Sequence, residues 1–364
     1  MRLPSKASFA ITLFAIFTSV FVSAQMYALF QDSVHNSSLF NAMEAFGAIF
    51  MGFLSDKFCR RKTNILSHFI GLCLLILIYF HRSLLPAIFL LGFFYNPLPI
   101  LRAGLVDNFT RFPRLYLLMI SFVIQFLPWS FYSIYVATPT STMLDIAIGM
   151  LTASFIGTFF FFRDKRDLNI RERSRQSLAS LVHSSSRKRV FYTVIAFFMM
   201  QGAYFFTDNL QENMADLPGF YSVISAATTV CVLLALTFRD ISHVSVLRVN
   251  YGINAALSFV PLLAIYLFKV TQFDTAFLII MLSGFSAFTL PFVYDITMNS
   301  INANYRGSAC GVLDFAFSAA SLFSASIINL LNVDRLFCYS IITIGLFGAL
   351  FFQTKAEKKP KVVG

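Results

Sequence analysis

SLFNAMEAFGAIFMGFLSDKFCRRKTNILSHFIGLCLLILIYF, residues 38–80, is the stretch on which the fold turns. Two apolar runs, 38–55 and 64–80, are joined by a short charged segment carrying Asp56, Lys57, Arg60, Arg61 and Lys62. A hydrocarbon core about 30 Å thick takes roughly 20 helical residues to cross, so each run approaches spanning length and the charged segment belongs at a membrane face. Ten further runs of this kind lie outward from it, at 7–30, 84–106, 115–136, 143–162, 191–208, 217–238, 248–268, 275–298, 309–331 and 335–353. A backbone in lipid has only itself to hydrogen-bond, which leaves helices or a closed barrel, and these runs lack the alternation of barrel strands. The expected fold is an all-α polytopic membrane protein with twelve transmembrane helices in two six-helix halves.

Composition agrees with a lipid solvent. The chain has 364 residues, 57% hydrophobic and only 12% charged, with 46 Phe and a mean hydropathy of +0.73. A soluble domain carries about 25% charged residues, and a soluble fold here would lack polar surface to cover its apolar content. The net charge of +11 raises the question of nucleic acid or anionic lipid, and the positions of the charges answer it. With the N-terminus in the cytoplasm, Lys57, Arg60, Arg61, Lys62, Arg111, Arg114, the basic segment 163–190, Arg239, Arg248, Arg306 and the tail lysines fall inside, whereas Arg82, Lys269 and Arg335 fall outside. That is the positive-inside asymmetry of a chain with an even number of spans. It predicts both termini in the cytoplasm, a basic face against membrane lipid and no nucleic-acid partner.

The segment 163–190, rich in charge and Ser, reads as a solvated linker dividing the spans six and six. The expected organisation is an N-terminal half 1–162, the linker 163–190, a C-terminal half 191–354 and a basic tail 355–364. Arg2 and Lys6 precede an apolar run ending in Val22-Ser23-Ala24, which resembles a signal-peptidase site. Retention is expected, because cleavage would leave eleven spans. Asn36-Ser37-Ser38 is a glycosylation sequon if exposed in a eukaryotic host. Cys59, Cys73, Cys231, Cys310 and Cys338 stand singly, without disulfide or metal spacing. No phosphate-binding loop, nucleophile elbow, zinc-binding helix motif or dinucleotide fingerprint occurs, so no catalytic residues, metal or cofactor are expected and the chain does not read as an enzyme.

Gly52-Phe53-Leu54-Ser55-Asp56-Lys57-Phe58-Cys59-Arg60-Arg61-Lys62 resembles the G-x-L-x-D-[RK]-x-G-[RK]-[RK] signature of the major facilitator superfamily, at the cytoplasmic turn between spans 2 and 3. Span count and central linker extend the resemblance over the whole chain. One position departs: Cys59 stands where the family has glycine. Small residues at Gly52 and Ser55 allow close helix approach, and Asp56 suits the amide-rich start of a helix. The resemblance implies that this helix is span 11, which begins near Arg306-Gly307, and that Arg60 pairs with an acid ending span 4, here Asp107. Gly52, Asp56, Arg60, Asp107 and Arg306, with Asp295 and Asp314 near the cytoplasmic ends of spans 10 and 11, form the expected cytoplasmic gate. A second copy of the motif between spans 8 and 9 is reduced to Arg239-Asp240, and span 5 has Leu127-Pro128 where many antiporters have Gly-Pro.

The resemblance also implies that spans 1, 2, 4, 5, 7, 8, 10 and 11 line a central cavity. Gln25, Glu44, Asn96, Gln125 and Gln201 fall on these spans, and polar groups of this kind are costly against lipid. Glu44 precedes Asp56 by twelve residues, about 18 Å along a helix, which sets it near mid-membrane. It is the coupling candidate, because desolvation favours the protonated carboxyl and lets it carry a proton between access states. The same glutamate can also act as helix glue. Gln25, Asn96, Gln125 and Gln201 are the expected substrate contacts. Arg102 has two readings, attraction of an anionic substrate or neutralisation of Asp107 with snorkelling to the interface, and the second is the expectation. Tyr27, Trp129, Tyr204 and Tyr294 are cavity or packing residues, and Pro128, Pro261 and Pro291 are candidate kinks.

Together these features imply a monomeric secondary transporter in the plasma (bacterial inner) membrane, moving a small-molecule substrate by alternating access with protons as the coupling ion. The rival is a non-transporting relative acting as a membrane sensor or scaffold.

Overall fold

The structure is a computed structural model, and it describes residues 6–29, 34–81, 85–164, 186–211, 220–268, 273–331 and 335–357. Its α-helices are α1 Lys6–Leu29, α2 Val34–Lys57, α3 Arg60–Phe80, α4 Leu85–Phe94, α5 Leu98–Asn108, α6 Arg114–Phe126, α7 Tyr132–Ala137, α8 Thr140–Phe161, α9 Arg187–Gln211, α10 Phe220–Leu234, α11 His243–Phe268, α12 Phe273–Ser300, α13 Arg306–Leu331 and α14 Arg335–Glu357. Span 4 is α4 with α5, span 5 is α6 with α7, span 8 is α10 followed by a 3-10 turn, Ala235–Phe238, and among the described residues each remaining span is one helix. Among the described residues, eight are long and apolar enough to cross a membrane on length and composition alone. Bulky side chains face outward, Phe80 at 72% exposure and Ile344 at 67%, as suits a hydrocarbon solvent. Residues 165–185 of the expected linker, tail residues 358–364, Arg2, Arg82 and Lys269 lie outside the described residues, as do the side chains of Ser37, Ser38, Pro261 and Arg335.

The apolar pattern reads spans 4 and 5 as continuous helices, and the structure interrupts both. Span 4 breaks at residues 95–97, where Pro97 caps α5 and Pro99 follows within its first turn. Proline brings no amide donor and its ring crowds the preceding turn, so the helix stops and restarts. Span 5 breaks at Pro128, which opens a 3-10 turn, Pro128–Phe131. Pro291, by contrast, lies inside a continuous α12. The Cys59 departure has a simple account: its backbone is extended, with φ −90° and ψ 121°, a conformation that asks for no glycine.

The chain forms two compact units. The first contains residues 1–181 and 301–318, so it includes the start of α13; the second contains residues 182–300 and 319–364. In the first unit α1 packs on α8, α3 on α8 and α2 on α4, around a core that includes Phe21, Leu75, Leu91, Leu144 and Leu151. In the second unit α9 packs on α14, α11 on α14 and α10 on α12. Span for span these are the same three pairings, 1 with 6, 3 with 6 and 2 with 4 recurring as 7 with 12, 9 with 12 and 8 with 10. The internal repeat that sequence hardly preserves is therefore written in the helix packing.

Candidate functional site

At the end of α2, Ser55 folds its hydroxyl back onto the Gly52 carbonyl at 2.7 Å, and Asp56 is left pointing at the first turn of α13. The carboxylate accepts from the Gly307 amide at 3.2 Å and from the Ser308 amide at 2.6 Å. Unbonded amides and the positive end of the helix dipole converge there, which is why a buried anion is held. The approach depends on glycine. A Cβ at Gly52 would stand 2.5 Å from the Gly307 carbonyl oxygen, and one at Gly311 would strike the Ala48 carbonyl. Both obstacles are backbone and cannot swing aside.

Arg60, fully buried, ties this contact to the neighbouring helices. It donates to Asp107 at 2.7 Å, and lies 3.4 Å from Asp56 and 3.5 Å from Asp164. Arg306 donates to the other Asp107 oxygen. Three carboxylates thus meet two guanidinium groups, and the α13 amides face the excess negative charge. Asp164 is a member that sequence reasoning placed in the solvated linker. Its neighbour is pinned by Asn108, which donates to the Arg163 carbonyl at 2.7 Å.

Deeper in the first unit, about 7.5 Å along the helix from Asp107, stands Arg102. It does not snorkel: its side chain is 0% exposed and donates to Asp314 on α13 and to Gln125 on α6. The guanidinium carbon sits 4.6 Å from the centre of the Phe122 ring. The interface reading fails because opposite charge, an amide oxygen and a ring face are all available inside, so the long side chain satisfies its donors without reaching water. Gln125 and Asp314, assigned from sequence to substrate contact and gate respectively, are joined by this one arginine.

Glu44 accepts from the Ser23 hydroxyl at 2.5 Å and from the Tyr27 hydroxyl at 3.3 Å. Asn96, in the break of span 4, donates to the Glu44 backbone carbonyl at 2.7 Å, so the interruption places an amide side chain against α2. Tyr27 meets Phe40 with ring centres 5.4 Å apart and Trp129 at 5.7 Å, and Trp129 meets Tyr132 at 5.7 Å. Gln25 points elsewhere, its amide nitrogen 3.5 Å from the Met143 sulfur.

In the second unit Gln201 accepts from the Ser286 hydroxyl at 2.8 Å. Asp295 shares a hydrogen bond with His243 at 2.8 Å and accepts from Asn299 at 2.8 Å. His243 opens α11 as Arg60 opens α3, and Asp295 lies near the end of span 10 as Asp107 lies near the end of span 4. The second motif copy thus survives as His243 with Asp295, whereas Arg239 and Asp240 form only an exposed pair of neighbours. Tyr294 is buried and Tyr204 packs on Phe205 with ring centres 5.0 Å apart. Among the described residues no group of three or more His, Cys, Asp or Glu side chains is arranged to hold a metal ion.

No family model and no curated protein matches the sequence. Solved structures do match. The human organic anion transporter MFSD10 (TETRAN) superposes with a TM-score of 0.77 at 11% identity, over 97% of this chain and 100% of that one. A bacterial homologue of the iron transporter ferroportin, in its outward-facing state, gives 0.70 at 14% identity over 96% and 98%. The E. coli fucose:proton symporter FucP gives 0.66 at 14% identity, also over 96% and 98%. At such low identity the likeness speaks for architecture, and it covers nearly the full length. The chain has the major facilitator fold.

Proposed function

We propose that the protein is a secondary transporter that moves a small organic solute across a membrane by alternating access, with Glu44 exchanging the coupling proton. In this reading residues 1–162 and 191–354 are the two moving halves, 163–190 links them on the cytoplasmic side, and the basic tail 355–364 lies there too. The observation that carries it is the capture of the α13 start by Asp56, backed by Arg60, Asp107 and Arg306. Such a contact suits a latch better than a permanent weld. Each charge-assisted bond is worth about 1.5–3 kcal/mol when made, yet every group in it can be hydrated once water enters, so the net difference between held and released states stays within reach of a ligand.

Glu44 supports the coupling role by its company. Its oxygens face two hydroxyl groups, which can accept from a protonated carboxyl or donate to an ionised one. Loading and unloading of a proton therefore needs no rearrangement of helices at that point. The test is flux into proteoliposomes under an imposed pH gradient, across neutral, cationic and anionic solutes. Gradient-driven accumulation that Glu44→Gln abolishes supports the proposal. Accumulation unchanged in Glu44→Gln removes Glu44 from coupling, and absence of flux for every solute class favours the sensor or scaffold.

A further inference from the structure

The other acids that the first unit buries or half-buries are answered by guanidinium groups. Arg60 answers Asp56, Asp107 and Asp164, Arg306 answers Asp107 again, and Arg102 answers Asp314. Glu44 is different. Its partners are hydroxyls, and among the described residues no Lys, Arg or His pairs with it. An ionised carboxylate away from bulk water without a counter-charge is costly, and the cost is relieved by a proton or by a cationic guest that takes its place.

The surroundings say what kind of charge fits. Tyr27, which reaches Glu44 with its hydroxyl, joins a group of rings containing Phe40, Trp129 and Tyr132. Ring faces carry negative quadrupole and attract a cation while giving it no oxygen ligand. A small hard metal ion, which takes six or more oxygens, is poorly served there. An ammonium with apolar substituents is served well, since its charge meets the carboxylate and its carbons meet the rings. Tyr27, Glu44, Trp129 and Tyr132 are all partly exposed, so the group is open to a guest.

The geometry points to an organic cation, an alkylated or protonated amine, as the substrate class bound at Glu44 and the rings around Tyr27. This deepens the transport reading and rests on it. Trp129 is the only tryptophan of the chain, so its emission reports the site in the full-length protein without labelling. Choline and tetraethylammonium are titrated against the neutral isostere 3,3-dimethylbutan-1-ol and the anion benzoate, with uptake of labelled tetraethylammonium measured in proteoliposomes. The cations are expected to shift Trp129 emission saturably and to bind at least about tenfold more tightly than the neutral isostere, as a desolvated cation–ring contact with a carboxylate allows. Glu44→Gln is expected to erase that preference. Glu44→Gln is also expected to keep the parent affinity for the neutral isostere, which separates a lost charge from a misfolded protein.

Equal binding of choline and its neutral isostere, or a preference for benzoate, overturns the inference. Uptake of neutral or anionic solutes without tetraethylammonium also overturns it while leaving transport standing. Selective cation binding at Glu44 with no uptake of any solute keeps the cation site and sinks the transport reading instead.

Discussion

Replacing Asp56 by Asn keeps the side-chain volume and one carbonyl acceptor but removes the negative charge that faces the first turn of α13. Two amides donate to that charge, from Gly307 at 3.2 Å and Ser308 at 2.6 Å, and Arg60 is 3.4 Å away. A buried anion at a helix N-terminus contributes up to about 2 kcal/mol. At 1.4 kcal/mol per factor of ten, the released population rises roughly 25-fold. Asp56→Ala also deletes the acceptor, and loss of an N-terminal cap adds about 1 kcal/mol, for a total near 140-fold. Cys310 supplies the assay. It lies two residues past Ser308 and is 0% exposed, so in a protein with Cys59, Cys73, Cys231 and Cys338 replaced its alkylation by N-ethylmaleimide proceeds through the released state. The labelling rate should rise in the order parent, Asp56→Asn, Asp56→Ala. Rates for both variants within twofold of the parent, in protein that is otherwise folded, would refute the latch.

Gly52→Ala and Gly311→Ala should act in the same direction, because each methyl meets backbone of the facing helix, and overpacking of this kind costs about 1–3 kcal/mol. Gly149→Ala, whose methyl meets nothing within 4 Å, should leave Cys310 labelling unchanged. Arg102→Met leaves Asp314 without its guanidinium and should cost about 3–5 kcal/mol in denaturant unfolding. Adding Asp314→Asn should recover most of that loss, and a double variant no more stable than the single would show that the pair is not the source of the effect.

The span pattern was legible because lipid imposes one requirement on every residue of a run, and a charged turn such as Asp56 to Lys62 is local in sequence. The nearness of Asp56 to Gly307 was legible only through the motif, since no local signal links positions 251 residues apart. Other pairings left no such trace. Arg102 and Asp314 are separated by 212 positions, and a lone arginine near a helix end looks the same in sequence whether it snorkels or turns inward. Asp164 was hidden by its neighbours, because a basic, serine-rich context reads as solvated even where its first residues fold under Arg60. The break at residues 95–97 had a local signal in Pro97 and Pro99, but a hydropathy run passes over prolines. His243 and Asp295 match Arg60 and Asp107 by place in the fold, not by residue type, so the repeat became visible once helix ends could be compared.

A disulfide across the latch is the most direct measurement. In a protein without its native cysteines, Ser55→Cys and Gly307→Cys place two thiols where the Gly307 Cβ position meets the Ser55 side chain; that Cβ also stands 2.9 Å from the Gly52 carbonyl oxygen, so α13 must shift slightly to admit it and the reduced double variant is the reference. Oxidation should stop solute flux in proteoliposomes and reductant should restore it, because transport requires the start of α13 to part from α2 in every cycle. Fully cross-linked protein that carries solute at the reduced rate would contradict the account.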